Sequence, residues 1–286
     1  MKKQHILIKI LLFLWTLCFF LNTTISKAQC TGVSVSDSLV LVNFYDETGG
    51  DNWINNDGWK TLNVVEWFGI TLTEDGCFVK EIELPNNNLT NTIPNINLPQ
   101  LEILLLINND LLGTIPNFSS IPNLKDLRLT NNDLTGEIPD FNNLPNVTKL
   151  QFSHNNLSGS IPNFSNLPSI QLLNFSNNQL DGSVPNFTDI VTIEWFYFQN
   201  NNLSGEIPDF SHLIVLEEIY LSNNNLSGEI PNFDAVEKLK HVRFENNNLT
   251  GTIPEFAFKE ELETLYLQGN QLTGSIPNFQ NSPLLY

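Results

Sequence analysis

Three histidines lie beyond the first thirty residues, His154, His212 and His241, and each stands apart from the others and from any cysteine. A metal centre or a nucleophilic triad needs such groups to converge on one point. No Ser-His-Asp set, metal-ligand spacing or phosphate-cradling glycine loop is readable in the chain. Glu217 and Glu218 are adjacent carboxylates, and in an extended segment they splay to opposite sides instead of acting as an acid/base pair. These residues point away from an enzyme and from any metal or other cofactor. What remains is the chemistry of contact. Trp195, Tyr197, Tyr220, His241, Arg243 and Tyr266 form an aromatic and cationic group, and aromatics with Arg are enriched at binding hot spots. Ile103, Leu105 and Ile107 form a second, apolar group.

Both groups fall at fixed phases of a repeat. The stretch from Leu216 to Pro231 reads LEEIYLSNNNLSGEIP, or L-x-x-L-x-L-x-x-N-x-L-x-G-x-I-P as a template. Its Ile/Val-Pro step recurs at Ile93, Ile115, Ile138, Ile161, Val184, Ile207, Ile230, Ile253 and Ile276, first after 22 residues and then every 23. A fixed period of this size signals a solenoid whose coils bury apolar surface only against their neighbours. Leu216, Ile219 and Leu221 predict a short strand with one buried face, stacked about 4.8 Å from the next copy. Asn224 and its eight counterparts, Asn87 to Asn270, are predicted to be buried and to satisfy backbone groups where the strand ends. Gly228 has a counterpart in every repeat but the first, which has Asn91, and that exchange predicts a left-handed backbone. The Pro that follows favours an extended or loosely coiled return path. A Phe two residues after most of these prolines predicts a stacked aromatic file inside the solenoid.

These motifs resemble the leucine-rich repeat family, in its plant-type subclass with the L-x-G-x-I-P tail. The resemblance implies an α/β-type repeat solenoid: an arc with a parallel β-sheet on the concave face and a mostly non-helical convex side. It also implies a helical, Trp-rich cap at the N-terminus and partner binding through the sheet. The cap text TGGDNW…GW…WFGI, with Trp53, Trp59 and Trp67, is similar to caps of secreted repeat proteins of Bacteroidota-like bacteria. Val65 and Leu72 stand where the plant cap has a cystine.

Residues 1–28 read as a signal peptide. Lys2, Lys3 and Lys9 precede the apolar run Ile10 to Leu21, and Ser26-Lys27-Ala28 offers a small-x-small cleavage site. The run is too short for a membrane span, so the protein is expected to be secreted or held at the cell surface. Residues 29–78 form the capping region, with a helix expected to start at Ser36-Asp37, and residues 79–286 hold nine repeats. Cys30 and Cys77 can pair in an oxidising compartment. No closing cap is expected before Tyr286, and the sequence reads as a fragment of a longer chain.

The net charge of −18 becomes more negative once the leader is removed, since it holds four of the 13 basic residues and no acidic one. Such a surface repels nucleic acid and anionic membranes. A protein or peptide partner is expected on the sheet. The alternative is a carbohydrate-binding adhesion or matrix component with stacked aromatics as platforms for a glycan, and plain cross-strand stacking would also account for the aromatic group. Ice binding asks for regular Thr rows, and the solvent-facing sheet positions are too varied for it.

Overall fold

The computed structural model describes residues 32–61, 63–256, 260–280 and 282–285; the proposed leader and Cys30 lie outside them. A helix spans Val35–Glu47. Its cap is Ser34, two residues earlier than the sequence suggested: the hydroxyl accepts from the Asp37 amide at 3.0 Å and donates to the Asp37 carboxylate at 2.7 Å. The other Asp37 oxygen accepts from the amide of Val79 at 2.9 Å, so a buried carboxylate fixes the helix to the first repeat strand. Leu41, Phe44 and Tyr45 turn inward against Trp53, Trp59 and Trp67, whose rings lie 4.9 Å apart in successive pairs. Trp53 and Trp59 donate their indole N–H groups to the carbonyls of Thr48 and Phe68. Rings packed and bonded in this way cover the open end of the first coil.

Next come the strands of a ten-stranded sheet. Ile70–Leu72 pairs antiparallel with Val79–Glu83, and from there every step is parallel, ending at Glu218–Tyr220, His241–Arg243 and Thr264–Tyr266. Register follows the period: Tyr197 faces Tyr220, Tyr220 faces Arg243, and Arg243 faces Tyr266. In the strands from Ile103–Leu105 to His241–Arg243 the central residue is buried and its two neighbours half-buried, as the alternation predicts.

The Asn row is bonded throughout. Asn224 donates to the carbonyls of Leu221 (3.0 Å) and Ser222 (3.3 Å) in its own coil and of Phe198 (3.0 Å) in the preceding one. Its oxygen accepts from the amide of Leu203 at 3.0 Å. Asn87, with no earlier repeat to serve, exchanges bonds with the backbone of Asn55 and so joins the ladder to the cap. Two phenylalanine files fill the interior. The expected one stacks Phe118 on Phe141 and Phe141 on Phe164 at 6.5 Å. A second, at the sixth template position, stacks Phe152 on Phe175 at 5.3 Å and Phe175 on Phe198 at 5.5 Å.

After each proline the chain returns as turns and loose coil, as expected, but the segment ahead of it is more ordered than the sequence suggests. Segments after the Asn corner pair into a five-stranded sheet starting at Thr90–Thr92 and a three-stranded one from Ser204–Glu206 to Asn248–Thr250. Here the Gly row has φ between 72° and 82° and Asn91 has 63°, so the left-handed reading holds. The neighbouring coil supplies a second reason for glycine: a Cβ on Gly228 would lie 2.8 Å from Glu206 Cγ. Asn91 sits on the edge strand of its sheet, where no earlier coil crowds it.

Leu221→Ala is expected to lower stability by about 2–5 kcal/mol, as a buried large-to-small change. Asn224→Ala is expected to cost about 1–3 kcal/mol through orphaned backbone groups. Tyr220→Ala, on the open face of the same coil, should cost well under half of the Leu221 value. Denaturant midpoints check this ordering, and equal losses at Leu221 and Tyr220 would contradict it.

A candidate recognition face on the ten-stranded sheet

The aromatic group assembles because its members share two template positions on consecutive strands. Tyr197, Tyr220, Arg243 and Tyr266 occupy position five and stand side by side in register. The rings of Tyr197 and Tyr220 are 4.8 Å apart and tilted by 53°. Arg243 lies between two rings, its Cζ 4.7 Å from the centre of Tyr220 and 5.2 Å from that of Tyr266. A guanidinium over aromatic faces is attracted by about 0.5–2 kcal/mol, depending on desolvation. Trp195 and His241 belong to position three with Glu218 between them. His241 Nδ1 is 3.0 Å from the Thr264 hydroxyl, and Nε2 lies 3.7 Å from the Glu263 carboxylate, an ion pair when the imidazole is protonated.

Sequence reading missed Glu218. Its carboxylate accepts from the Tyr197 hydroxyl at 3.0 Å. Burial, and then this carboxylate, raise the Tyr197 phenol well above its ordinary range. Burial, and then hydrogen bonding to Glu218, push Tyr220 up to about 12. The alternation in Glu218-Ile219-Tyr220 carried the signal, since it puts Glu218 on the face of Trp195 and Tyr197.

The apolar group is a separate patch. Ile103, Leu105 and Ile107 are half-buried, and the strand Ile103–Leu105 is separated from Trp195–Tyr197 by three others. Beside it Arg128 donates twice to Asp126, at 2.8 and 2.6 Å, so that cation is already engaged. Cys77 is disulfide-bonded. Among the described residues no group of three or more His, Cys, Asp or Glu side chains could hold a metal ion, and no helix is long and apolar enough to cross a membrane.

Comparison with known families agrees with the coil geometry. The Leucine Rich Repeat profile matches residues 123–144, 146–167 and 261–281, and the leucine-rich repeat domain of the EGF-like domain-containing protein ComC matches 161–258. The chain is a leucine-rich repeat protein. Among solved structures, this repeat protein is similar to the plant peptide hormone receptor RGFR1 in complex with RGF2, with 34% identity over 71% of this chain and a TM-score of 0.67. It is also similar to the ectodomain of the Arabidopsis thaliana receptor kinase GASSHO1/SCHENGEN3 in complex with CASPARIAN STRIP INTEGRITY FACTOR 2, with 31% identity over 84% of this chain and a TM-score of 0.71. The repeat protein spans about a third of each receptor chain, 34% and 33%. A plant ice-binding protein is 26% identical over 87% of this chain and 90% of its own, with a TM-score of 0.68. A search of curated protein sequences gave no match.

Tyr197 and Tyr220 are held neutral in the fold, so their stabilising contribution is complete below pH 10, the ordinary phenol value, and is lost as pH climbs toward 12. The unfolding midpoint should therefore fall above about pH 10. Tyr197→Phe should flatten that fall, as followed by thermal melts across pH; an unchanged slope would place the phenol in water.

Proposed function

We propose that the chain is a secreted or cell-surface, non-catalytic recognition module that binds a protein or peptide along the ten-stranded sheet. Trp195, Tyr197, Tyr220, His241, Arg243 and Tyr266 anchor the partner. One observation carries the reading: Arg243 is held between two tyrosine rings, within a row whose side chains stand outside the Leu/Phe core. Aromatic side chains fixed in advance lose little entropy when a partner arrives. The complexed receptors supply the class of partner, since their structures hold RGF2 and CASPARIAN STRIP INTEGRITY FACTOR 2. The basic and apolar start of the sequence supports export. Glycan binding is disfavoured by the same geometry, because Arg243 covers one face of Tyr220 and of Tyr266, and Tyr197 is tilted against Tyr220.

A second reading rests on the lateral sheets. Position twelve, two residues after the position that follows the buried Asn, carries hydroxyls at Thr90, Thr135, Ser158, Ser204, Ser227, Thr250 and Thr273, interrupted by Leu112 and Asp181. Alongside runs an exposed amide row in which Asn108 donates to Asn86, Asn200 to Asn177 and Asn246 to Asn223, at 2.8–2.9 Å. The regularity missing from the concave face is present here, on a fold shared with a plant ice-binding protein. A rigid, periodic, small polar surface of this kind suits a periodic partner such as ice.

Peptides selected from a random display library on the parent protein should bind a Trp195→Ala/Tyr220→Ala variant at least tenfold more weakly and a Glu83→Ala control unchanged. Circular dichroism confirms folding, and equal binding to the double variant removes the patch from the recognition surface. Slowed ice recrystallisation, abolished by Ser227→Tyr and untouched by the double variant, is the outcome required by the second reading; no effect on ice growth dismisses it.

A further inference from the structure

The apolar patch and the aromatic row lie on one continuous surface. From Ile103–Leu105 to Trp195–Tyr197 the strands run parallel and in register, so position three reads Ile103, Asp126, Lys149, Leu172 and Trp195 in one file. All five are half-buried, on the side of the sheet away from the Leu/Phe core, and each keeps accessible surface. Four strand steps separate the two ends, about 19 Å, and Lys149 stands midway.

Charge says what the middle of the file can take. Positions three and five carry three Lys or Arg residues: Arg128, Lys149 and Arg243. Arg128 is bonded twice to Asp126, and Arg243 is held between tyrosine rings. On Lys149 no ion pair forms among the described residues. Its acidic neighbour in register is Asp126, whose two oxygens both go to Arg128, and its other neighbour is Leu172. Off the file, Lys125 is paired with Glu102 at 2.9 Å. A chain with 31 acidic residues and a net charge of −18 thus keeps an unpaired cation at the centre of its open sheet, where it attracts a carboxylate.

Spacing says what backbone would carry that carboxylate. Ile103 to Lys149 and Lys149 to Trp195 are two strand steps each, about 9.6 Å. A β-extended peptide repeats its same-face side chains about every 6.8 Å and misses this interval. A polyproline II helix has three residues per turn and rises about 3.1 Å per residue, so side chains i, i+3 and i+6 share one side about 9.3 Å apart. Aromatic-lined surfaces dock such a helix because it is ordered before it binds, and the paired rings of Tyr197 and Tyr220 stand at one end of the file.

Building on the peptide-binding reading, we infer that the apolar patch and the aromatic row are the two ends of one site for an acidic peptide in polyproline II conformation. The peptide lies along the file, across the strands. An apolar side chain meets Ile103, an Asp or Glu three residues on meets the Lys149 ammonium, and a third side chain three residues beyond rests on Trp195.

The test uses peptides selected on the parent protein whose binding needs Trp195 and Tyr220. They should carry an Asp or Glu whose replacement by the matching amide weakens binding at least tenfold. Lys149→Thr should weaken the acidic peptide by a similar factor and the amide peptide little, the non-additivity expected of a direct contact. Ile103→Thr should weaken binding at least fivefold. Thr264 fills the same template position in another coil, so both threonine variants should keep the parent's circular dichroism. One residue inserted between the apolar and the acidic side chain should cost as much as the amide, since it turns the carboxylate a third of a turn away. Peptides that need Trp195 and Tyr220 yet tolerate the insertion, or bind either threonine variant as tightly as the parent, overturn the bridged site and leave the recognition face standing. Selected peptides indifferent to Trp195 and Tyr220, or no selected peptides at all, overturn both.

Discussion

Each coil of this protein turns a corner after its strand, where the carbonyls and amides of the backbone run out of ladder partners. One asparagine side chain per coil supplies what is missing. Asn247 shows the economy of the arrangement: its amide donates to the carbonyls of Phe244 and Leu221, and its oxygen accepts from the amide of Leu226. A single residue thus bonds its own corner and the preceding coil on both sides of the turn. No residue with fewer than two donors and an acceptor can do that. Stacking in register follows, because the corner of one coil sets the height of the next, and a linear chain of such links is how a solenoid transmits order.

A scaffold fixed at its corners leaves other positions free. The concave rows carry Asp, Lys, Leu, Trp, Glu, His and Thr at position three, and the flanks of these strands stay half-buried in nearly every repeat while the centre stays buried. Side-chain identity there is decoupled from the fold. The convex side is less forgiving. Five phenylalanines, at 118, 141, 164, 187 and 256, sit at φ between 47° and 52°, a region that bulky residues avoid at a cost of order 1–3 kcal/mol. Each ring is at most 3% exposed, and full burial of a Phe side chain contributes about 1.5–3 kcal/mol. The strain is offset where it arises, by the stacking that the sharp turn makes accessible.

What was legible in the sequence was whatever the period repeats: the Leu core, the buried Asn, the left-handed Gly with its single Asn exception, and the position-five row. What was not legible depends on contacts between coils. The Asn one place before the buried row, at 86, 108, 131, 177, 200, 223 and 246, adopts φ of 55–59°, yet it reads like any polar loop residue. The lateral sheets were hidden because their strands carry Gly and small hydroxyls, types that predict loops until a neighbouring coil supplies the ladder. Glu218 reads in sequence as half of an adjacent acidic pair; alternation puts it on the open face, and only the register brings it to the Tyr197 hydroxyl.

The aromatic row gains its interest from this decoupling. Had the fold required rings at position five, every coil would show them, yet the same position holds Leu105, Arg128, Gln151 and Asn174, half-buried like Tyr197 and Tyr220. Cross-strand stacking of Tyr197 on Tyr220 does contribute, at about 0.2–1 kcal/mol for a pair of this kind, but neighbouring coils stand without it. The corner next to the row is harder still to assign to stability. Orphan oxygens on Gln199 and Glu245 and an orphan N–H on Arg243 weaken the folded state, and the simplest hydroxyl or alkyl side chains would have avoided them. Groups that the fold leaves unsatisfied, enclosed beside a rigid aromatic row, are not explained by stability alone.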